Sequence, residues 1–62
     1  MLKVGFIGLG TMGFPIAGHI SNSYKTLVFN RTINKSHEWT LEFEGDICES
    51  VKEIALKSGV IF

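Results

Sequence analysis

Three glycines at G-x-G-x-x-G spacing, Gly8, Gly10 and Gly13, constrain this 62-residue chain more than any other feature. An apolar run, Val4 to Ile7, leads into them and reads as a buried strand. A helical pattern leaves them, with Met12, Ile16, Ala17 and Ile20 expected on one face. Strand, glycine turn and helix in that order form the setting in which this spacing signifies dinucleotide binding rather than a turn without a ligand. Each glycine has a separate physical task. Gly8 permits the tight turn out of the strand. Gly10, lacking a Cβ, lets backbone approach a pyrophosphate. Gly13 lets the helix pack closely on the sheet. The unpaired N–H groups and the positive dipole end of the helix then face the phosphates.

Further along, the apolar centre Leu27-Val28-Phe29 marks a second strand over Tyr24 to Asn30. Asn30 follows Gly8 by 22 positions, where a dinucleotide fold places the group that reads the adenosine ribose. An acidic residue there accepts from the ribose hydroxyls and favours NAD. Here a neutral Asn30 is followed by Arg31. A carboxylate would repel a 2′-phosphate, whereas Arg31 can pair with one through a charge-assisted contact. Thr32 adds a hydroxyl donor, and Lys35 lies one turn away. The bland alternative for Arg31 is a surface arginine at a strand end; its distance from the glycine turn favours phosphate recognition. NADP is therefore expected in preference to NAD.

The other elements follow from pattern and punctuation. Thr11 or Met12 should begin the first helix, with Thr11 as a hydroxyl cap, and Ser21-Asn22-Ser23 should end it. Between residues 33 and 47 two periods compete. Ile33, Trp39 and Phe43 fit a helix facing the sheet, while Trp39, Leu41 and Phe43 alternate with polar residues as in a strand. Parallel strands need a crossover, which favours a helix from Ile33 to Leu41, capped by Thr32, and a short third strand around Gly45 to Ile47. Ser50-Val51-Lys52-Glu53 fits a capping box that opens a third helix with Val51, Ile54 and Ala55 inward and Gly59 ending it. Val60-Ile61-Phe62 begins a fourth strand. The fold expected is α/β, a partial Rossmann fold whose parallel sheet has the order 3-2-1-4 with flanking helices.

Composition excludes several other classes. Six basic and six acidic residues balance, and no basic block suggests nucleic acid. The lone Cys48 rules out an intrachain disulfide and forms no zinc site by itself; it reads as a packing residue. Met1 to Gly10 is too short and glycine-rich for a signal peptide, and no apolar run approaches the roughly 18 residues of a membrane span. A reducing, cytoplasmic setting is the default. His19 lies off the apolar stripe and reads as a solvated helix histidine. No metal cluster and no catalytic constellation is visible. A 62-residue chain has room for one mononucleotide half, so a longer parent protein is expected.

Residues 5 to 17, Gly-Phe-Ile-Gly-Leu-Gly-Thr-Met-Gly-Phe-Pro-Ile-Ala, followed by Phe-Asn-Arg-Thr at 29 to 32, resemble the amino-terminal domain of the β-hydroxyacid dehydrogenases. That family includes 3-hydroxyisobutyrate dehydrogenase, the glyoxylate/succinic semialdehyde reductases and, more distantly, 6-phosphogluconate dehydrogenase. The resemblance implies an NAD(P)-binding domain followed by an all-helical domain that supplies much of a dimer contact, so a homo-oligomer is expected at full length. It implies hydride transfer between a nicotinamide and a small β-hydroxy acid or semialdehyde. By motif match, Gly8, Leu9, Gly10, Thr11, Met12 and Gly13 would hold the pyrophosphate and the near side of the nicotinamide half. Asn30, Arg31 and Thr32 match the NADP-preferring form. The family's Ser-Gly-Gly substrate segment and catalytic lysine have no counterpart in residues 1–62, so no catalytic residue is expected here. Gly59 departs from the acidic residue common at that place. Two alternatives stand beside this reading: a non-catalytic dinucleotide-binding or oligomerisation module, and the amino-terminal domain of a pyrroline-5-carboxylate or imine reductase.

Overall fold

The structure is a computed structural model and describes residues 2–62. Strands and helices alternate from one end to the other: β1 (Lys3–Ile7), α1 (Gly13–Ser21), β2 (Lys25–Phe29), α2 (Ile33–Glu42), β3 (Asp46–Ile47), α3 (Val51–Lys57) and β4 (Val60–Ile61). The four strands form one sheet in the order β3-β2-β1-β4, as the sequence predicts, and every pairing is parallel. Val4 pairs with Thr26 on one side and Val60 on the other, which makes β1 central. Burial is continuous over Val4, Gly5 and Phe6, and over Thr26, Leu27 and Val28, as expected for parallel strands covered on both faces.

Alternation along the strands divides the core in two. Phe6 and Val28 point to one face and pack with Leu9, Ala17 and Trp39 under α1 and α2. Leu27 points to the other and packs with Cys48 and Ile54 of α3. Trp39 is fully buried and its indole Nε1 donates to the Phe14 carbonyl at 3.2 Å, tying α2 to the start of α1. This settles the competition of periods over 33–47: helix wins, and Trp39 is a packing residue. Phe43 lies partly buried against Trp39, with ring centroids 5.6 Å apart.

The structure corrects several details of side-chain direction. On α1 the inward stripe is Phe14, Ala17, Gly18 and Ile20, not Met12 and Ile16, which are 75% and 46% exposed. Glycine wins position 18 because the helix sits so close that a Cβ on Gly18 would collide with the Phe43 ring. On α2, Ser36 and Trp39 are buried while Ile33 is exposed. On α3 only Ile54 is buried; Val51 and Ala55 face outward, because seven residues present little more than one inward position. Thr11 caps nothing: Met12 holds the cap position of α1 without a side-chain bond. Thr32 holds the cap position of α2, again without one. Gly59 is not a left-handed cap. Its N–H donates to the Lys3 carbonyl at 2.8 Å, so the chain enters the sheet directly after Ser58. Cys48 is buried, and that burial, with Glu53 next in effect, pushes its thiol pKa up.

The predicted capping box of α3 is present in a shifted form. Ser50 Oγ accepts from the Glu53 N–H at 3.1 Å, and Glu53 Oε1 accepts from the Glu49 N–H at 2.7 Å, one residue earlier than the usual partner. Lys57 Nζ donates to Glu53 Oε2 at 2.8 Å. The Lys57 hydrogen bond, then the Glu49 N–H, hold the Glu53 carboxyl below the ordinary carboxylate range, and the same pairing raises Lys57. A depressed carboxyl contributes stability that is present above its unfolded pKa and is lost as pH falls through its folded value. A raised lysine contributes below its unfolded pKa, and the contribution is lost as pH rises through the folded value. Acidification from about pH 5 to below 4 should therefore loosen the Ser50 end of α3 before the sheet. Amide chemical shifts at Glu49 and Glu53 check this; in Glu53→Gln that early local transition should vanish.

Candidate cofactor site

A parallel sheet delivers all its carboxyl-terminal strand ends to one edge. The Gly8–Met12 turn after β1, the Asn30–Thr32 turn after β2 and the Cys48–Ser50 segment after β3 therefore lie along the same edge. In open α/β sheets ligands bind in the crevice outside that edge.

The three motif glycines have three different surroundings. Gly8 has φ of +95°, the one positive φ among the described residues, so an L side chain there is strained. At Gly13 a Cβ would strike the Gly8 carbonyl and lie 3.3 Å from the Phe6 ring, so helix and turn touch through this position. At Gly10 a Cβ would meet nothing within 4 Å. The protein's own packing gives no reason for glycine at position 10; close approach of a ligand does.

The turn is anchored from below. Gly8 N–H donates to the Phe29 carbonyl at 2.9 Å, and Leu9 N–H donates to Asn30 Oδ1 at 2.8 Å. Leu9 itself is fully buried in the core under α1 and α2. Its side chain fixes the turn rather than lining its surface. Gly10, Thr11 and Met12 are exposed above it, and with Gly13 their N–H groups find no acceptor among the described residues. No acidic side chain occupies the first turn of α1. Unpaired donors and a helix dipole with no carboxylate in its first turn suit an anion. The backbone thus fits a pyrophosphate.

One cleft opens at this turn and another beyond the end of β2. The first, of about 290 Å³, is lined by Gly10, Thr11 and Phe14, with Lys35 and Glu38 of α2 on its rim. The other, of about 450 Å³, has apolar walls from Phe29, Ile33 and Ile47 and a polar rim of Arg31, His37 and Glu49. Arg31 and Lys35, grouped together by sequence, thus open into different clefts. Thr32 is exposed; its carbonyl accepts from Asn30 Nδ2 at 3.1 Å and from Lys35 N–H at 3.0 Å. Asn30 has both ends of its amide engaged by the protein, an arrangement that strand-end spacing does not reveal. His37, Ile47 and Glu49 were missed by sequence reasoning. Their signal is positional: once α2 and β3 are placed, His37 lies a turn into the helix and Glu49 just past the strand end. Among the described residues there is no group of three or more His, Cys, Asp or Glu able to hold a metal, and no helix long and apolar enough to cross a membrane.

Comparison with known proteins agrees with this geometry. Residues 3–62 match the family described as the NAD binding domain of 6-phosphogluconate dehydrogenase. An uncharacterized oxidoreductase of Shewanella frigidimarina is 40% identical over 63 residues, covering 100% of this chain and 22% of that protein. A probable 3-hydroxyisobutyrate dehydrogenase-like 1, mitochondrial, of Arabidopsis thaliana is 38% identical over 97% of this chain and 18% of its own length. Glyoxylate/succinic semialdehyde reductase 1 of the same plant is 39% identical over 90% of this chain and 19% of its own. This chain spans about a fifth of the length of these relatives. Among solved structures, an imine reductase from Pseudomonas sp. superposes with a TM-score of 0.87 over 97% of this chain and 21% of its own, at 24% identity, a likeness of fold. With its G-x-G-x-x-G turn, parallel 3-2-1-4 sheet and match over residues 3–62, the chain belongs to the NAD(P)-binding amino-terminal domain family of the β-hydroxyacid dehydrogenases.

Proposed function

We propose that this chain is the NADP(H)-binding portion of an oxidoreductase that moves hydride between the nicotinamide and a small β-hydroxy acid or semialdehyde. The observation that carries the cofactor choice is Arg31 on the rim of the cleft beyond β2, with no carboxylate at position 30. The phosphate contacts fall to the N–H groups of Gly10, Thr11, Met12 and Gly13. Leu9 acts from beneath as their anchor. The adenine suits the apolar walls Phe29, Ile33 and Ile47, and the 2′-phosphate suits Arg31, with the Thr32 hydroxyl beside it. Lys35 lines the neighbouring cleft with Gly10 and Thr11, so its charge serves the pyrophosphate rather than the 2′-phosphate. Bound there, the nicotinamide supplies the hydride; this chain's residues bind and orient it.

The choice of a carbonyl substrate is supported by the relatives named as a hydroxyisobutyrate dehydrogenase-like protein and a semialdehyde reductase, at 38–39% identity. The residues that select substrate and catalyse transfer belong to a following helical domain, which also carries the homo-oligomer contact. A reducing, cytoplasmic setting fits a chain with a single buried cysteine.

Calorimetric titration with NADPH and NADH tests the cofactor assignment. The chain should prefer NADPH. Arg31→Ala should weaken NADPH about ten- to a hundredfold, the worth of one charge-assisted contact of about 1.5–3 kcal/mol, and change NADH by less than about threefold. Equal loss for both cofactors would remove Arg31 from the 2′-phosphate.

The glycines separate fold from binding. Gly10→Ala places a methyl in open space and should leave the melting temperature within a few degrees while weakening both cofactors by about tenfold or more. Gly13→Ala overpacks the turn and should destabilise the chain by about 1–3 kcal/mol. Thermal melts alongside the titrations read both; unchanged binding in Gly10→Ala would take the pyrophosphate away from this turn.

A further inference from the structure

Asn30 stands where a dinucleotide fold usually aims a side chain at the ribose, yet its amide is turned to the protein at both ends. Oδ1 accepts the Leu9 N–H at 2.8 Å, across 21 positions of sequence. Nδ2 donates to the Thr32 carbonyl at 3.1 Å, within its own turn. One small planar group therefore spans the two turns that the preceding section assigns to pyrophosphate and 2′-phosphate. We propose that Asn30 is a positioning residue: its amide locks the glycine turn to the Arg31–Thr32 turn, so that both phosphate sites are held as one rigid unit.

The chemistry of the two bonds selects the residue. The Leu9 side requires an acceptor and the Thr32 side requires a donor. Among side chains of this length only an amide offers both. Aspartate satisfies Leu9 and sets a carboxylate oxygen against the Thr32 carbonyl, two acceptors facing one another with no proton between them. Alanine satisfies neither and leaves the Leu9 N–H, whose side chain is fully buried, without its partner. The neutral side chain at the end of β2 is thus set by a contact inside the protein as well as by tolerance of a nearby phosphate. Gly8 N–H to the Phe29 carbonyl lies directly beside the Leu9 bond, so the lock extends the sheet pairing by one further rung into the turn.

This inference rests on the dinucleotide assignment for its functional consequence and not for its structural part, and one set of variants separates them. Amide hydrogen exchange on the chain without cofactor reads the lock itself, with circular dichroism confirming the fold of each variant. In Asn30→Ala the Leu9 amide should exchange about two- to tenfold faster, the loss expected for one hydrogen bond. In Asn30→Asp it should stay protected. Calorimetry then reads the coupling. Asn30→Ala should weaken NADPH and NADH together, by about tenfold each, because the shared pyrophosphate turn loosens. Asn30→Asp should leave NADH within about threefold of the parent and weaken NADPH by about tenfold or more. That pattern is not produced by general destabilisation, which would depress both cofactors in both variants. Unchanged Leu9 exchange in Asn30→Ala overturns the lock. So does a loss confined to NADPH in Asn30→Ala, which would make Asn30 part of the 2′-phosphate contact alone. Faster Leu9 exchange in a chain that binds neither cofactor even before substitution sustains the lock and overturns the cofactor assignment.

Discussion

The structure depends on the parallel pairing of β1 with β2. Parallel strands send their ends the same way, and every turn with chemical potential lies at the end where β1 and β2 finish. The ladder does not stop at Ile7 and Phe29. It continues through Gly8 N–H to the Phe29 carbonyl and, by way of a side chain, from Leu9 N–H to Asn30. Backbone that begins as sheet becomes the floor of a turn, and the next four N–H groups are raised clear of it without partners. The same geometry that builds the sheet therefore leaves the donors that an anion needs.

Much of this was legible in the sequence because it rests on residue types with few other uses. Glycine spacing located the turn, and the later elements followed from punctuation: Ser50 with Glu53, the Ser21–Ser23 cluster, the need for a crossover before a third parallel strand. Side-chain direction was less legible. Of the stripe expected on α1, Ala17 is buried and Ile20 packs against the core, but Met12 and Ile16 face outward, and Gly18 lies inward because the helix is too close to Phe43 for a larger side chain. Thr11 is not the cap of α1, and Thr32 holds the cap position of α2 without using its hydroxyl. At Thr11 the chain is already coiled, with Phe14 N–H bonded to the Gly10 carbonyl at 2.9 Å, and at Thr32 the bonded group is the backbone carbonyl, not the hydroxyl.

The site was legible as a set of residues and less so as an arrangement. Leu9 and Asn30 fall within the motif, and the structure gives both an internal role: one fills the core under the turn, the other ties the turn to its neighbour. Arg31 and Lys35 are four apart in sequence and open into separate clefts, because the start of α2 lies between them. His37, Ile47 and Glu49 come from three different segments, and only tertiary structure gathers them around Arg31.

The central claim is that the edge formed by the β1 and β2 turns holds a dinucleotide by its phosphates. Amide chemical-shift mapping of the chain with NADP tests it most directly. The account predicts that Gly10, Thr11, Met12 and Gly13 move together with Arg31 and Thr32, while a separate apolar cleft, lined by Leu2, Val4, Ile20, Tyr24, Val60 and Phe62, stays still. Shifts confined to that apolar cleft, or glycine-turn amides that remain unmoved while NADP binds, would contradict it.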